Sequence, residues 1–333
     1  MPITLASFLQ IDLPAMLAAL LATVSCGLLG NFLVLRRQSL MGDAISHAVL
    51  PGIVLAFLFW GSRATWPMFF GAACAGVLAA VIIELVRRLG RLDSGTAMGV
   101  VFSVFFAGGV VLMEQAAAHA VDLDADCVLY GQLEDILWLA PTDLASLLEP
   151  AVWADMPREV TTLALTLAVV SAVVLLFYKE LKLTSFDPEL ATTLGFPAGL
   201  FNVLLMVLVA AVAVAAFEAV GSILVIAMFI CPAAAARLFT DRLGRQIWLS
   251  LGFAVVAALG GYLLAASAPL WAGVPSALAA SGMIAVVAGA LLGVAVLFAP
   301  RYGALARAMR PSELAEARER AAAEPLATNL SNR

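Results

Sequence analysis

The chain has 333 residues, 63% of them hydrophobic and 12% charged, with a formal net charge of −5. Soluble domains carry about 45–50% apolar and about 25% charged residues, so this composition excludes an ordinary soluble domain and marks an integral membrane protein. It also excludes nucleic acid as a partner, because the 18 basic residues are sparse and scattered.

Four cysteines (Cys26, Cys74, Cys127, Cys231) form no CxxC pair. Neither a disulfide framework nor a thiolate metal site is expected. The opening stretch, "MPITLASFLQIDLPAM", lacks a basic segment and carries Asp12, so it is not expected to be a cleaved signal peptide.

A spanning helix needs about 20 mostly apolar residues. Residues 14–35 supply the first without a charge. Residues 43–61 follow, polar at their start, then 67–86, interrupted by Glu84, and 95–113. Residues 160–178, 196–217 and 219–236 come next. The uncharged run 247–299 is too long for one span, and "APLWAGVPS" divides it in two. The expected fold is all-α: a polytopic transmembrane helix bundle of about 8–9 spans. The lower number applies if the sixth and seventh segments, separated by Glu218 alone, share a re-entrant unit. Residues 1–310 are expected to form one membrane domain, and residues 311–333 a polar cytoplasmic tail.

Positive charge sets the orientation. Arg36/Arg37, Arg87/Arg88/Arg91, Lys179/Lys182, Arg237/Arg242/Arg245 and the six arginines from Arg301 onward fall on one side, 16 of the 18 basic residues. Arg63 and Arg158 fall on the other. The C-terminus is expected in the cytoplasm.

The second segment opens "GDAISHAVLPG". Asp43 and His47 are four residues apart, so on a helix they share a face one turn apart. Pro51 is four further on. It cannot donate the hydrogen bond that the His47 carbonyl would accept, and it kinks a helix there. A charged side chain near the bilayer centre costs about 2.5–3.5 kcal/mol on insertion scales, so such groups face a water-filled path. Carboxylate oxygen with imidazole nitrogen suits a divalent first-row metal. The plainer alternative makes Asp43 an interfacial N-cap and gives His47 a bond to a neighbouring helix. Against it, the chain has only two histidines, His47 and His119.

Between Glu114 and Glu159 lie ten acids and one base, Arg158. The stretch "HAVDLDADCVLYGQLEDILWLAP" is not apolar enough to span. Its Leu, Ile and Trp suggest parts lying on the membrane or lining a vestibule. His119 with Asp122, Asp124 and Asp126 could hold a cation transiently, or could belong to a solvated acidic loop. Either way a negative mouth raises the local cation concentration.

"TSFDPELATTLGF" reads as a short helix on the arginine-rich side. Asp187 can cap it, Pro188 suits the first helical position, and Gly195 suits a left-handed C′ residue. That places residues 188–194 in two turns, which could be an ordinary turn helix. The only lysines, Lys179 and Lys182, do not follow a glycine. No GxxxxGK[ST] phosphate loop exists, so ATP-driven work requires a nucleotide site on another polypeptide.

"GSILVIAMFICPAAAARL" holds Gly221 and Pro232 in one apolar segment. A proline within a span frees a backbone carbonyl and can mark a broken helix near a pathway, while its alanines suit close packing. Glu218, just before it, either lies at the interface or lines the path.

The stretch "GDAISHAVLPGIVLAF" closely resembles the hallmark of permease subunits of metal-ion ABC importers, the family that carries manganese, zinc or iron(II). "VDLDADCVLYG", "KELKLTSFDPELATTLGF", "VGSILVIAMFICPAAAARL" and "FAPRYG" are similar to the same family in the same order. The resemblance implies that Asp43 and His47 contact the transported Mn(II), Zn(II) or Fe(II), with no permanently bound cofactor. It implies a coupling helix with a Glu–x–Ala–x–x–x–Gly pattern, matched by Glu189, Ala191 and Gly195, docking on cytoplasmic ATP-binding ABC subunits. It further implies a second permease, identical or paralogous, an external metal-loaded solute-binding protein, and a lipid environment in the inner (plasma) membrane. Such a chain is a transport subunit and not an enzyme. Manganese(II) favours oxygen-rich sites with some imidazole, which fits an Asp/His pair, and zinc and iron(II) accept the same ligands.

The competing class is an ATP-independent secondary transporter or channel for divalent cations. It predicts proton-relay acids in the spans or repeat symmetry, and the sequence shows neither. An intramembrane enzyme lacks its parts, since there is no HExxH and no GxSxG.

Overall fold

The computed structural model describes residues 5–38, 41–60, 65–117, 133–143, 145–272, 278–300 and 302–305. Every regular element among them is helical. Helix α1 (Leu13–Leu35) is preceded by a π-helical turn, Phe8–Asp12. Then come α2 (Met41–Ala48), α3 (Leu50–Trp60), α4 (Thr65–Gly90) and α5 (Ser94–Ala117). After a short helical turn at Pro150–Ala154 follow α6 (Arg158–Leu176), α7 (Tyr178–Phe186) and α8 (Pro188–Thr193). The chain then forms α9 (Ala198–Phe239), α10 (Leu243–Ala272) and α11 (Ala280–Phe298).

Among the described residues, seven helices are long and apolar enough to cross a membrane, and Leu50–Trp60 and Ile223–Phe239 are shorter apolar helices. The short pieces arise at two breaks. The single segment expected over residues 43–61 divides at Val49 into α2 and α3. Pro51 has no N–H for the His47 carbonyl, and Gly52 and Ile53 both donate to the Val49 carbonyl, at 3.0 and 3.1 Å. The second break corrects the expectation at Glu218. The helix runs straight through that residue and leaves helical geometry at Gly221 (φ 77°, ψ 167°). Glu218 does not end the helix and stands 3.7 Å from Arg158. Nor does Pro232 break it; that residue lies buried within the second half of α9.

Helix α1 and the first half of α9 are the most deeply buried spans. Ala15, Ala18, Ala19 and Ala22 of α1 are almost fully enclosed, as suits a helix that neighbours approach closely. Helices α3 and α4 cross at Gly52 and Gly71. A Cβ on either would collide with the carbonyl oxygen of the other, so only glycine permits this crossing.

Hydrogen bonds sort the two ends of the bundle. At one end Gln10 donates to the carbonyls of Leu139 and Pro141, Tyr262 donates to Asp12, and the Ala280 N–H donates to Glu134. The described part of the acidic segment therefore packs on the helix tops, with Leu133, Ile136 and Trp138 buried. At the opposite end Arg36, Arg87, Arg88 and Asn202 converge. Residues 311–333 lie outside the described residues.

Candidate functional site

Helix α2 carries Asp43 and His47 one turn apart, as their spacing predicts. The Asp43 side chain lies outside what the structure describes. The half-buried His47 imidazole meets two rings of α5 edge-on: Phe102 at 5.1 Å between centroids and Phe106 at 5.6 Å. Those rings are themselves stacked at 5.9 Å. This apolar wall limits the directions from which water or a cation can reach the imidazole. Among the described residues no three His, Cys, Asp or Glu side chains gather to hold a metal.

The second feature is α8. The Asp187 carboxylate accepts from the Leu190 N–H at 2.9 Å, and Pro188 occupies the first helical position. At the other end the Phe196 N–H donates to the Ala191 carbonyl (2.9 Å) and the Gly195 N–H to the Thr192 carbonyl (3.1 Å). That pair of bonds is a Schellman motif, and Gly195 holds its left-handed position at φ 88°. The helix ends at Thr193, with Leu194 as its C-cap, one residue short of the expected 188–194. Ala191 is enclosed, whereas Leu190, Leu194 and Phe186 are exposed apolar side chains around the helix. Such a patch suits a protein partner.

Beside α8 opens a cavity of about 690 Å³ whose lining includes Arg36, Arg37, Arg87, Arg88 and Glu189. Its floor is a polar network. Arg36 donates from Nε to Ser185 Oγ (2.9 Å), from Nη1 to Asn202 Oδ1 (2.6 Å) and from Nη2 to Thr184 Oγ1 (3.0 Å). Asn202 Nδ2 donates in turn to Glu84 Oε2 at 2.8 Å. Glu84 also accepts two bonds from Arg87, at 2.9 and 2.7 Å, and one from Arg88. Lost solvation pushes the Arg36 pKa down to about 10, against the opposing pull of Glu84.

Asp187, Pro188, Glu189, Ala191 and Gly195 thus come together as one capped helix, with Glu189 facing the cavity. His119, Asp122, Asp124 and Asp126 lie outside the described residues. Glu218 stands beside Arg158 at the end of the bundle opposite the network. Pro232 lies where α9 packs on α1, next to Gly27. Sequence reading missed Arg36, Glu84, Asn202, Phe102 and Phe106 as site residues. Arginines three and four positions after Glu84 were the one local signal for any of them.

Residues 9–299 match the ABC 3 transport family. The manganese transport system membrane protein MntD of Bacillus subtilis (strain 168) is 39% identical over 291 residues, 87% of this chain and 92% of that protein. The zinc transport system membrane protein TroD of Treponema pallidum (strain Nichols) is 38% identical over 293 residues, 88% of this chain and 75% of that one. Among solved structures, PsaBC from Streptococcus pneumoniae in complex with Fab superimposes with a TM-score of 0.67 at 33% identity, covering 87% of this chain and 92% of that one. Matched over most of its length by the family and by relatives of such identity, the chain belongs to the ABC 3 transport family.

Proposed function

We propose that this chain is the membrane-spanning permease subunit of an ATP-driven ABC importer for divalent transition metal ions, with manganese as its cargo. The observation that carries the reading is the placement of Asp43 and His47 one turn apart on α2, a short helix cut off from α3 at Val49 inside an apolar bundle. Relatives named for manganese and zinc transport support the same class of cargo. Zinc and iron(II) accept carboxylate and imidazole too, but manganese takes oxygen-rich sites most readily. The metal is substrate here, and the chain needs no resident cofactor.

In this reading α2 with α3, and the second half of α9, each complete a crossing, which added to the seven long spans gives nine passes, the upper end of the expected eight to nine, with the C-terminus in the cytoplasm. Helix α8 is then the coupling helix, offering Leu190 and Leu194 to a separate ATPase, since this chain has no phosphate loop. The acidic segment that contains His119, Asp122, Asp124 and Asp126 receives an external metal-binding protein. A second permease, identical or paralogous, completes the path.

The test is metal accumulation in cells stripped of their own importers, with manganese, zinc and iron counted together. Wild-type complex is compared with Asp43→Ala and His47→Ala at matched expression. Manganese accumulation lost in both assembled variants supports the reading. Variants that transport like wild type would make Asp43 and His47 structural and remove the metal site from α2.

A further inference from the structure

Four helices meet at Arg36. The residue closes α1; Thr184 and Ser185 belong to α7, Asn202 to α9, and Glu84, reached through Asn202, to α4. The acceptors are oriented by their own helix. Ser185 Oγ donates to the Leu181 carbonyl at 2.6 Å, and Thr184 Oγ1 to the Glu180 carbonyl at 2.9 Å. With their protons committed to their own helix, both hydroxyls offer lone pairs outward. Asn202 is held from both sides, accepting from Arg36 at Oδ1 and donating to Glu84 at Nδ2. A planar guanidinium fork suits this fixed set of acceptors in a way a lysine ammonium does not.

Backbone hydrogen bonds hold each flank of the junction. On one flank α1 ends in a second Schellman motif, with Arg37 left-handed at φ 57°. Gln38 N–H donates to the Leu33 carbonyl at 2.9 Å, and Met41 N–H, the first residue of α2, to the Gln38 carbonyl at 3.0 Å. On the other flank Asp187 alone separates α7 from α8, donating its N–H to the Leu183 carbonyl and capping Leu190. Arg36 is the side chain that joins the two flanks: it bonds Thr184 and Ser185 of α7, while Gln38, two residues on, accepts from Met41 at the start of α2.

We infer that Arg36 is a positioning residue that ties the α7–α8 arm to the Asp43/His47 helix, so that movement imposed on α8 by the ATPase is delivered to the metal path. This rests on the importer reading proposed above. Removing Arg36 alone leaves the Asn202 Oδ1 acceptor unpaired beside Glu84, so a loss of stability and a loss of coupling have to be read by separate measurements.

The test uses the complete importer, permease with its ATPase and binding protein, reconstituted in liposomes. Manganese uptake and ATP hydrolysis are measured together, and their ratio is the readout. Arg36→Met should assemble and hydrolyse ATP, with manganese moved per ATP reduced about tenfold, within the 5–150-fold span of typical coupling energies. Arg36→Lys should recover part of that loss. Thr184→Val with Ser185→Ala, which leaves Arg36 its bond to Asn202, should lower the ratio in the same direction, and it decides the matter if Arg36→Met fails to assemble. Variants whose uptake and hydrolysis fall in step, at the wild-type ratio, overturn this inference alone. A wild-type complex that hydrolyses ATP without moving any divalent metal overturns the importer reading and this inference with it.

Discussion

The imidazole of His47 stands edge-on to the ring of Phe102, with centroids 5.1 Å apart and planes inclined at 62°. A ring edge turned toward an aromatic face is a favourable electrostatic arrangement, and here Phe106 repeats it from the next turn of α5. The two phenylalanines thus restrict the orientations open to the imidazole, which bears on the metal contact proposed for it.

Phe102→Leu should weaken the site without removing it. An aromatic pair is worth about 0.5–1.5 kcal/mol beyond its buried area. Since 1.4 kcal/mol is tenfold in an equilibrium constant, the metal concentration for half-maximal uptake should rise about two- to tenfold. Uptake at saturating manganese should stay near wild type. Concentration-dependent uptake in cells reports both quantities. An unchanged half-saturation point would show that the wall does not orient the imidazole.

The caps of α8 make a prediction about local order. Asp187→Ala removes the acceptor for the Leu190 N–H, a loss of about 1 kcal/mol at an N-cap. Gly195→Ala meets no neighbouring atom, since open space surrounds that position, but it forces a side chain into φ 88°, at a cost of about 1 kcal/mol. A helix of only two turns has little propagation to offset either loss. Amide exchange across residues 188–196 should accelerate about fivefold in each variant, following roughly 1 kcal/mol, with the spanning helices unchanged. Acceleration spread across the whole bundle would mean that α8 is part of the global fold instead of a separately ordered docking element.

Those caps were legible in the sequence because capping is chemistry between near neighbours: an aspartate, a proline and a glycine at fixed offsets determine both ends of α8. A kink near Pro51 was legible for the same reason, announced by its missing N–H, whereas the full division into two helices at Val49 was not. The boundary at Glu218 was misread. A charge between apolar runs marks the end of the span only approximately: the helix continues three residues past Glu218 and breaks at Gly221, where glycine takes a positive φ. The Arg36 junction had no local signature at all, because its bond to Asn202 joins residues 166 apart. Phe102 and Phe106 were equally silent. Aromatic residues one turn apart in an apolar span read as packing, and only the fold brings His47 against them.

Glu218 was a candidate for the translocation path, and its position makes a sharp prediction against that role. It sits 3.7 Å from Arg158, both side chains about one third exposed, at the end of the bundle away from the Arg36 network. Partly exposed ion pairs are worth about 0–1 kcal/mol. Glu218→Gln should therefore lower the thermal midpoint of the purified permease by a few degrees at most, matching that small energy. Manganese uptake should remain at the wild-type level. A carboxylate that handed metal along the path would behave differently, because removing its charge would take away a ligand while leaving stability untouched. Measuring the melting temperature and the uptake of Glu218→Gln together separates these cases. Uptake abolished with an unchanged midpoint would return Glu218 to the path and reduce its pairing with Arg158 to a resting contact that metal displaces.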